Sequence, residues 1–199
     1  MSKFKILIPI CCTVFLILFM VAYVGVKKKE NLKQDIVLTA FKTKEQKDIE
    51  NALQVLEKKI KNLKKNDITM TLELYILNHD YVKAYELSKT ATEKYPLILE
   101  YIVIRTVLAR KTLSNQGSLK EYQEFLKNIG ALEKKEEKPN FNFYSSVYVV
   151  SALFNDFETK QVYYKKMQSL NLEDQEIDLL NFLSLSTEME LLEFFNIDL

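Results

Sequence analysis

The sequence predicts an all-α fold that begins with one membrane-spanning helix. Glycine and proline each occur only three times in 199 residues, whereas average usage is about 7% and about 5%. A sheet-rich fold or a glycine-rich nucleotide loop would need more turn residues than this. Several segments after residue 30 also repeat apolar residues at the 3.6-residue period of a helix, and an uncharged apolar run precedes them.

The apolar run predicts the membrane helix. It begins at Ile6, ends at Val26 and contains no charged residue. At 1.5 Å per residue it spans about 30 Å, the hydrocarbon thickness of a bilayer. The alternatives are a buried core helix and a cleaved signal peptide, but a signal peptide has a shorter apolar region and a small-residue cleavage site that M-V-A-Y-V-G-V lacks. We therefore predict an uncleaved single-pass anchor within residues 1–30 and a helical domain over residues 31–199.

Two rules disagree on which side of the membrane that domain lies. Lys27, Lys28 and Lys29 follow the run, and the positive-inside rule places this basic side in the cytoplasm. A short basic N-tail followed directly by an apolar run is instead the usual form of a bacterial signal-anchor, and on that ground we favour an extracytoplasmic domain. The same three lysines are candidate contacts for anionic lipid head groups, at about 1 kcal/mol each.

The clearest helical hairpin covers Y-I-L-N-H-D-Y-V-K-A-Y-E-L-S-K-T-A-T-E-K-Y-P at residues 75–96. Its turn is predicted at Asp80. One stripe of the second helix, at i, i+3, i+7, i+10 and i+14, consists of Tyr81, Ala84, Ser88, Ala91 and Tyr95. Pro96 then prevents the helix from continuing.

This hairpin resembles a tetratricopeptide repeat, a 34-residue unit in which small residues let two antiparallel helices approach closely and a proline closes the unit. The packing residues that the resemblance implies are Tyr75, Tyr81, Ala84, Ala91 and Pro96. Weaker matches follow Asp48 and Asp156, so the resemblance covers roughly residues 31–170 as three or four units. It implies an α-solenoid of antiparallel helical hairpins.

The segments between these matches also read as helices. Residues 97–110 are apolar on nearly every side, which predicts a first helix covered by neighbouring hairpins. A turn is predicted at Gly117, followed by a partner helix that ends near Gly130. The apolar stripe of that helix consists of Leu119, Tyr122, Leu126 and Ile129. A charged loop is predicted at residues 133–140, and a further hairpin over residues 141–170.

The C-terminal helices, from about residue 171, carry eight acidic residues and no Lys or Arg. T-E-M-E, from Thr187, resembles a capping box, and the apolar residues cover more than one helix face. One interpretation is that these helices fold back on the last hairpin and bury that surface. The other is an exposed, acid-rimmed patch that binds a basic partner protein or a second copy. Its residues would be Leu191, Leu192, Phe194 and Phe195.

Residues that could carry catalysis or bind a metal are scarce. Cys11 and Cys12 lie in the apolar run, and the only histidine, His79, lies in a predicted turn. The chain contains no H-E-x-x-H, no G-x-x-x-x-G-K and no G-x-G-x-x-G motif. Disulfides and thiolate zinc sites are excluded for residues 31–199, and we expect neither an enzyme nor a cofactor. Beyond residue 65 the chain is not basic, which disfavours nucleic-acid binding.

The expected function follows from the resemblance. Stacked hairpins bury a shared core and leave a groove, and the family is associated with scaffolding and with peptide or helix binding. We therefore expect a membrane-anchored adaptor or scaffold that binds another protein. The alternative is a permanent structural subunit of a larger bacterial envelope machine, for secretion, envelope or motor assembly.

Overall fold

The computed structural model describes residues 34–58, 64–135, 139–193 and 197. All regular secondary structure within these ranges is α-helical, which confirms the predicted all-α fold. The chain divides into two compact units, with the boundary between Lys61 and Asn62. The predicted anchor at residues 6–26 and the lysines at 27–29 lie outside the described ranges. No helix within those ranges is long and apolar enough to cross a membrane.

The described part of the first unit contains two helices, α1 over residues 34–43 and α2 Gln46–Glu57. Between them, the Thr43 hydroxyl donates a 2.8 Å hydrogen bond to Oδ2 of Asp48, in the first turn of α2. The buried side chains of α2 follow the i, i+3, i+4, i+7 spacing of one helix face, and are Ile49, Ala52, Leu53 and Leu56.

The described part of the second unit contains eight helices. They are α3 Lys65–Leu77, α4 Tyr81–Lys94, α5 Leu99–Thr112, α6 Asn115–Glu133, α7 Phe141–Leu153, α8 Phe157–Gln168, α9 Asp174–Leu185 and α10 Glu188–Glu193. The pairs α3–α4, α5–α6 and α7–α8 pack as hairpins, and α4 also packs on α5. The central helices are α5 and α7, because α5 contacts α4, α6 and α7, while α7 contacts α5, α8, α9 and α10.

The central position of α5 follows from its sequence. Consecutive helical residues point about 100° apart, so three buried neighbours in a row require cover on most sides. Val107, Leu108 and Ala109 are such a run, and each is fully buried. The prediction of a first helix covered by neighbouring hairpins is therefore confirmed. In α7, Val149, Val150 and Ser151 form an equivalent buried run.

Helix α6 corrects two predicted boundaries. Ser114 is its N-cap, and the Ser114 hydroxyl accepts a hydrogen bond from the N–H of Gly117 at 3.3 Å. Gly117 therefore lies in the first turn of the helix and not in the preceding turn. Gly130 does not end the helix, which continues to Glu133, because a single glycine is tolerated inside a helix that has other reasons to form.

The core face of α6 also differs from the predicted stripe. Leu119 is 51% exposed, whereas Phe125 is 1% exposed. The buried face runs through Ser118, Tyr122, Phe125, Ile129 and Leu132. Tyr122 and Ile129 belong to both sets, so the predicted stripe lies on the correct side of the helix. The centre of the buried face is nevertheless shifted from the centre of that stripe.

Candidate interaction surfaces

Two of the three hairpins in the second unit share one turn geometry. His79 and Asn155 both adopt a positive φ of 56°, a conformation that non-glycine residues rarely take. In each turn the backbone N–H of the following aspartate, Asp80 or Asp156, donates a 2.9 Å hydrogen bond to the carbonyl five residues earlier. This bond satisfies a carbonyl at the end of the first helix and reverses the chain.

Both aspartates then cap the next helix. Oδ1 of Asp80 accepts a hydrogen bond from the N–H of Lys83 at 3.2 Å, and Oδ1 of Asp156 accepts one from Thr159 at 3.0 Å. The first helices of the two hairpins, α3 and α7, have 13 residues each. The capping residues Asp80 and Asp156 are 76 positions apart, and the same offset relates the other corresponding residues of the two hairpins.

The residues implied to pack the hairpin at 75–96 differ in burial. Ala84 and Ala91 are 0% exposed, and Tyr75 is also buried, whereas Tyr81 is half-buried and Pro96 is exposed. Helix α4 lies against both α3 and α5. The two alanine side chains therefore lie on the buried surface of a helix that two neighbouring helices cover.

A polar network ties α4, α5 and α6 together around Arg105. The Arg105 guanidinium donates hydrogen bonds to Thr92 Oγ1, Glu121 Oε1 and Glu124 Oε2, at 3.1, 3.1 and 3.2 Å. Its Nε lies 2.8 Å from Glu121 Oε2, but the N–H has no aligned acceptor, so we interpret this last contact as ionic. The Tyr85 hydroxyl donates to the same Glu121 at 2.8 Å.

Most of this network is buried, and we therefore interpret it as a contact that holds α4, α5 and α6 together. Arg105 and Glu121 side chains are each 15% exposed, whereas Glu124 is 49% exposed. Burial and the hydrogen bond to Glu121 raise the pKa of Tyr85 to about 12, so that its hydroxyl remains a donor at neutral pH. The adjoining cleft leaves about 10 Å³ accessible to the centre of a water molecule, which is room for about one water molecule.

The last hairpin presents a more polar outer helix than the first. Helix α4 buries six residues between its neighbours, whereas α8 packs chiefly on α7 and buries only Tyr163 and Met167. Tyr85 and Thr92 of α4 face α5 and α6 through the Arg105 network, and their counterparts in α8 are the exposed Gln161 and Gln168. A terminal hairpin of a repeat array usually has a polar outer face, but α8 also exposes Phe157 and Val162, at 69% and 49%.

The two terminal helices fold back on α7. The Tyr148 hydroxyl donates a 3.2 Å hydrogen bond to the carbonyl of Leu183 in α9. Arg110 donates to the carbonyl of Leu153 at 3.3 Å and to Glu188 of α10 at 3.1 Å. The apolar residues buried in this segment are Leu180, Leu183, Leu191, Leu192 and Ile197.

This packing decides between the two interpretations for part of the predicted patch. Leu191 and Leu192 are each 2% exposed, because α10 lies on α7, so the interpretation as an exposed patch does not hold for them. Phe194 and Phe195 lie outside the described residues. The predicted capping box is present, since the N–H of Thr187 donates to Glu190 at 2.7 Å and the N–H of Glu190 donates to Thr187 Oγ1 at 3.4 Å.

A different set of apolar residues is exposed on these helices. Ile177, Phe182 and Leu185 are 43%, 45% and 84% exposed on α9. We call these three residues, together with the exposed Asp174 and Asp178 of the same helix, the terminal face. The sequence showed that α9 has two apolar sides but not which of them meets α7, so only the contacts with α7 identify the outer one.

Metal-ligating side chains do not converge in the part of the chain that the structure describes. No group of three or more His, Cys, Asp or Glu side chains there is placed to hold a metal ion. His79 is exposed, in the turn before α4, and its Nδ1 lies 3.0 Å from the Tyr81 hydroxyl. That hydrogen bond and the positive φ give His79 a local role in the turn.

Comparison of the chain with family models, with curated proteins and with solved structures finds no match.

Proposed function

We propose that this chain is a membrane-anchored adaptor, a tetratricopeptide-like array of hairpins that binds another protein and helps to assemble a membrane-associated complex. In this proposal residues 6–26 are the single-pass anchor and the helices from α3 onwards form the binding module. The chain acts without a cofactor and is not an enzyme. Its partners are protein, with lipid contacts at Lys27, Lys28 and Lys29, and nucleic acid is not among them.

The single observation that carries the proposal is the repetition of the first hairpin in the third. The turns at Asp80 and Asp156 share a positive φ, a carbonyl contact five residues back and a capping aspartate. Equivalent turns at corresponding positions of separate hairpins are what a repeat array would contain.

Exposed apolar side chains favour the second candidate function, a permanent subunit of a larger envelope machine. Leu185, Phe157 and Val82 are 84%, 69% and 64% exposed, and obligate subunits carry apolar surface that their neighbours cover. The oligomeric state of a fragment from residue 31 distinguishes the two. A monomeric, stable fragment supports the adaptor, and one that aggregates supports the permanent subunit.

The anchor and its orientation have direct tests. Alkaline extraction should leave the full chain in the membrane, and deletion of residues 6–26 should release it; extraction of the full chain would contradict the anchor. Lys134 is exposed at the end of α6. In a background with Cys11→Ser and Cys12→Ser, Lys134→Cys should react with a membrane-impermeant thiol reagent in intact cells if the domain is extracytoplasmic. Labelling only after lysis would place the domain in the cytoplasm.

A further inference from the structure

We infer that the terminal face of α9 is a docking site for a basic amphipathic helix of the partner protein. This inference rests on the proposed adaptor function and names the surface and the chemistry of the partner. The terminal face consists of Ile177, Phe182 and Leu185 with Asp174 and Asp178, all of them exposed.

The surface is held in place before any partner binds. On the opposite side of α9, Leu180 and Leu183 are 7% and 2% exposed, and the Leu183 carbonyl accepts the hydrogen bond from Tyr148 of α7. Because α9 is already held against α7, it does not need to become ordered when a partner helix binds, which reduces the entropic cost of binding. The presence of a fixed helix distinguishes this surface from a frayed chain end.

The exposed residues follow one side of the helix. Asp174, Asp178, Phe182 and Leu185 lie at i, i+4, i+8 and i+11, a spacing that stays close to one line along the helix, and Ile177 lies at the edge of this side. From Ile177 to Leu185 the face extends about 12 Å, at 1.5 Å per residue. That length matches two to three turns of a partner helix lying in contact with α9. Apolar side chains rimmed by charge are the usual composition of a protein-binding surface.

The negative charge of the C-terminal helices favours a basic partner. Residues 171–199 contain eight acidic residues and no Lys or Arg. Within the described ranges, Glu188 pairs with Arg110, but neither Asp174 nor Asp178 has a basic partner. A helix with Lys or Arg beside its apolar residues would supply the missing charges and cover the apolar ones. The same face of a second copy and an anionic membrane are both disfavoured, because like charges would face each other.

Site-specific photocrosslinking of the full chain in native membranes tests this inference. A photoreactive residue is placed at position 182 or 185, and in matched controls at Val82 or Leu119, which are also exposed, at 64% and 51%. We expect adducts at 182 and 185 in which the crosslinked peptide of the partner is a basic amphipathic segment. The two control positions should give at least about tenfold less adduct.

Reversal of the charge provides the second arm. Asp174→Lys with Asp178→Lys should reduce the adduct yield at position 182 roughly tenfold, because repulsion slows association and weakens the complex. Glu93→Lys with Glu158→Lys reverses two exposed acids elsewhere and should leave the yield unchanged. Circular dichroism melting shows whether each double variant remains folded, and Asp174→Asn with Asp178→Asn replaces the reversal if it does not.

Three results would overturn the inference. Adducts at 182 and 185 with lipid, with the same chain or with an acidic segment would each exclude a basic helix. Adducts at the control positions alone would move the partner to another surface and leave the adaptor function standing. Absence of any protein adduct at all four positions would count against the adaptor function as well as against the docking site.

Discussion

The hydroxyl of Tyr122 in α6 donates a 2.7 Å hydrogen bond to Oδ2 of Asp156, the residue that caps α8. The Tyr122 ring stacks on Phe154 with centroids 4.6 Å apart, and its hydroxyl also lies 3.2 Å from Ser151 Oγ. One side chain of the second hairpin therefore fixes the turn of the third. Burial and the hydrogen bond to Asp156 raise the pKa of Tyr122, so the hydroxyl keeps its proton.

Removal of this hydroxyl should destabilise the fold. Tyr122→Phe keeps the stacking on Phe154 but deletes a hydrogen bond to a carboxylate, which is worth about 1.5–3 kcal/mol. Urea unfolding of the 31–199 fragment measures the change. Tyr144→Phe is the control, because Tyr144 contacts Phe143 and Tyr163 through its ring. Equal stability of the two variants would show that the Tyr122 hydroxyl does not support the turn.

The same aspartate should make stability depend on pH. Burial raises the pKa of Asp156, but hydrogen bonds from the Thr159 N–H and from the hydroxyls of Tyr122 and Thr159 outweigh it, and the pKa is lowered overall. A lowered folded-state pKa stabilises the fold above the unfolded value of about 3.9 and loses that contribution as the pH falls through the folded value. The free energy of unfolding should therefore decrease on acidification from pH 5 to pH 3.

Asp156→Asn should reduce this acid sensitivity, because an amide does not titrate in that range. Asp174→Asn, at an exposed position on α9, is the matched control and should respond to acid as the unmodified chain does. If Asp156→Asn and the unmodified chain lose the same free energy between pH 5 and pH 3, the hydrogen bonds to Asp156 do not contribute to stability.

Enlarging either alanine of α4 should overpack the interior. Ala84 and Ala91 are 0% exposed, and extra methylenes in a well-packed core cost about 1–3 kcal/mol. Ala84→Leu and Ala91→Leu should each lower the melting temperature of the fragment. Glu93→Leu adds a leucine at an exposed position of the same helix and should change it little. An unchanged melting temperature for both alanine variants would contradict the packing of α4 between its neighbours.

The two glutamates that contact Arg105 should differ in importance. Glu121→Gln leaves a largely buried guanidinium without its main counter-ion and should cost about 1–3 kcal/mol. Glu124 is 49% exposed, and an exposed pair contributes about 0–1 kcal/mol, so Glu124→Gln should have a small effect. Urea unfolding measures the loss of unfolding free energy in each variant, and the ratio of the two losses is the result to compare. A larger effect at Glu124 would contradict the observed burial.

Gly130 offers a stabilising substitution. It lies inside α6 without a positive φ, and a Cβ added there would have no neighbouring atom within 4 Å. Gly130→Ala should therefore raise stability by about 0.5–1 kcal/mol. The sequence alone predicts that α6 ends near Gly130; if it did so with that glycine in the left-handed conformation, the same substitution would destabilise the protein.

The sequence identified the features that depend on local spacing. The 3.6-residue period predicted the helices, and the aspartates at 80 and 156 predicted two turns whose geometries prove equivalent. The misplaced start and end of α6 have a physical reason, since Gly117 and Gly130 both read as turn signals, whereas the helix begins after the Ser114 cap and continues past Gly130. The Ser114 cap is local, whereas the burial of Phe125 in place of Leu119 depends on which helix lies opposite, and a single sequence does not record that.

The C-terminal helices show the same limit more clearly. Eight acids and an excess of apolar residues predicted either burial or an exposed patch, but periodicity alone did not separate the two sides of α9. The structure shows burial at Leu191 and Leu192 and exposure at Phe182 and Leu185. Tertiary packing against α7, which carries Tyr148 and its hydrogen bond to Leu183, selects the buried side.

The proposed function requires that this chain hold another protein at a membrane. The most direct measurement is chemical crosslinking in native membranes, followed by purification of the chain and identification of everything attached to it. We expect an adduct that contains one other polypeptide in reproducible stoichiometry and that is lost when the terminal face is disrupted by Phe182→Ser with Leu185→Ser. Recovery of the chain without a protein adduct, or only as copies of itself, would rule out the proposed adaptor function.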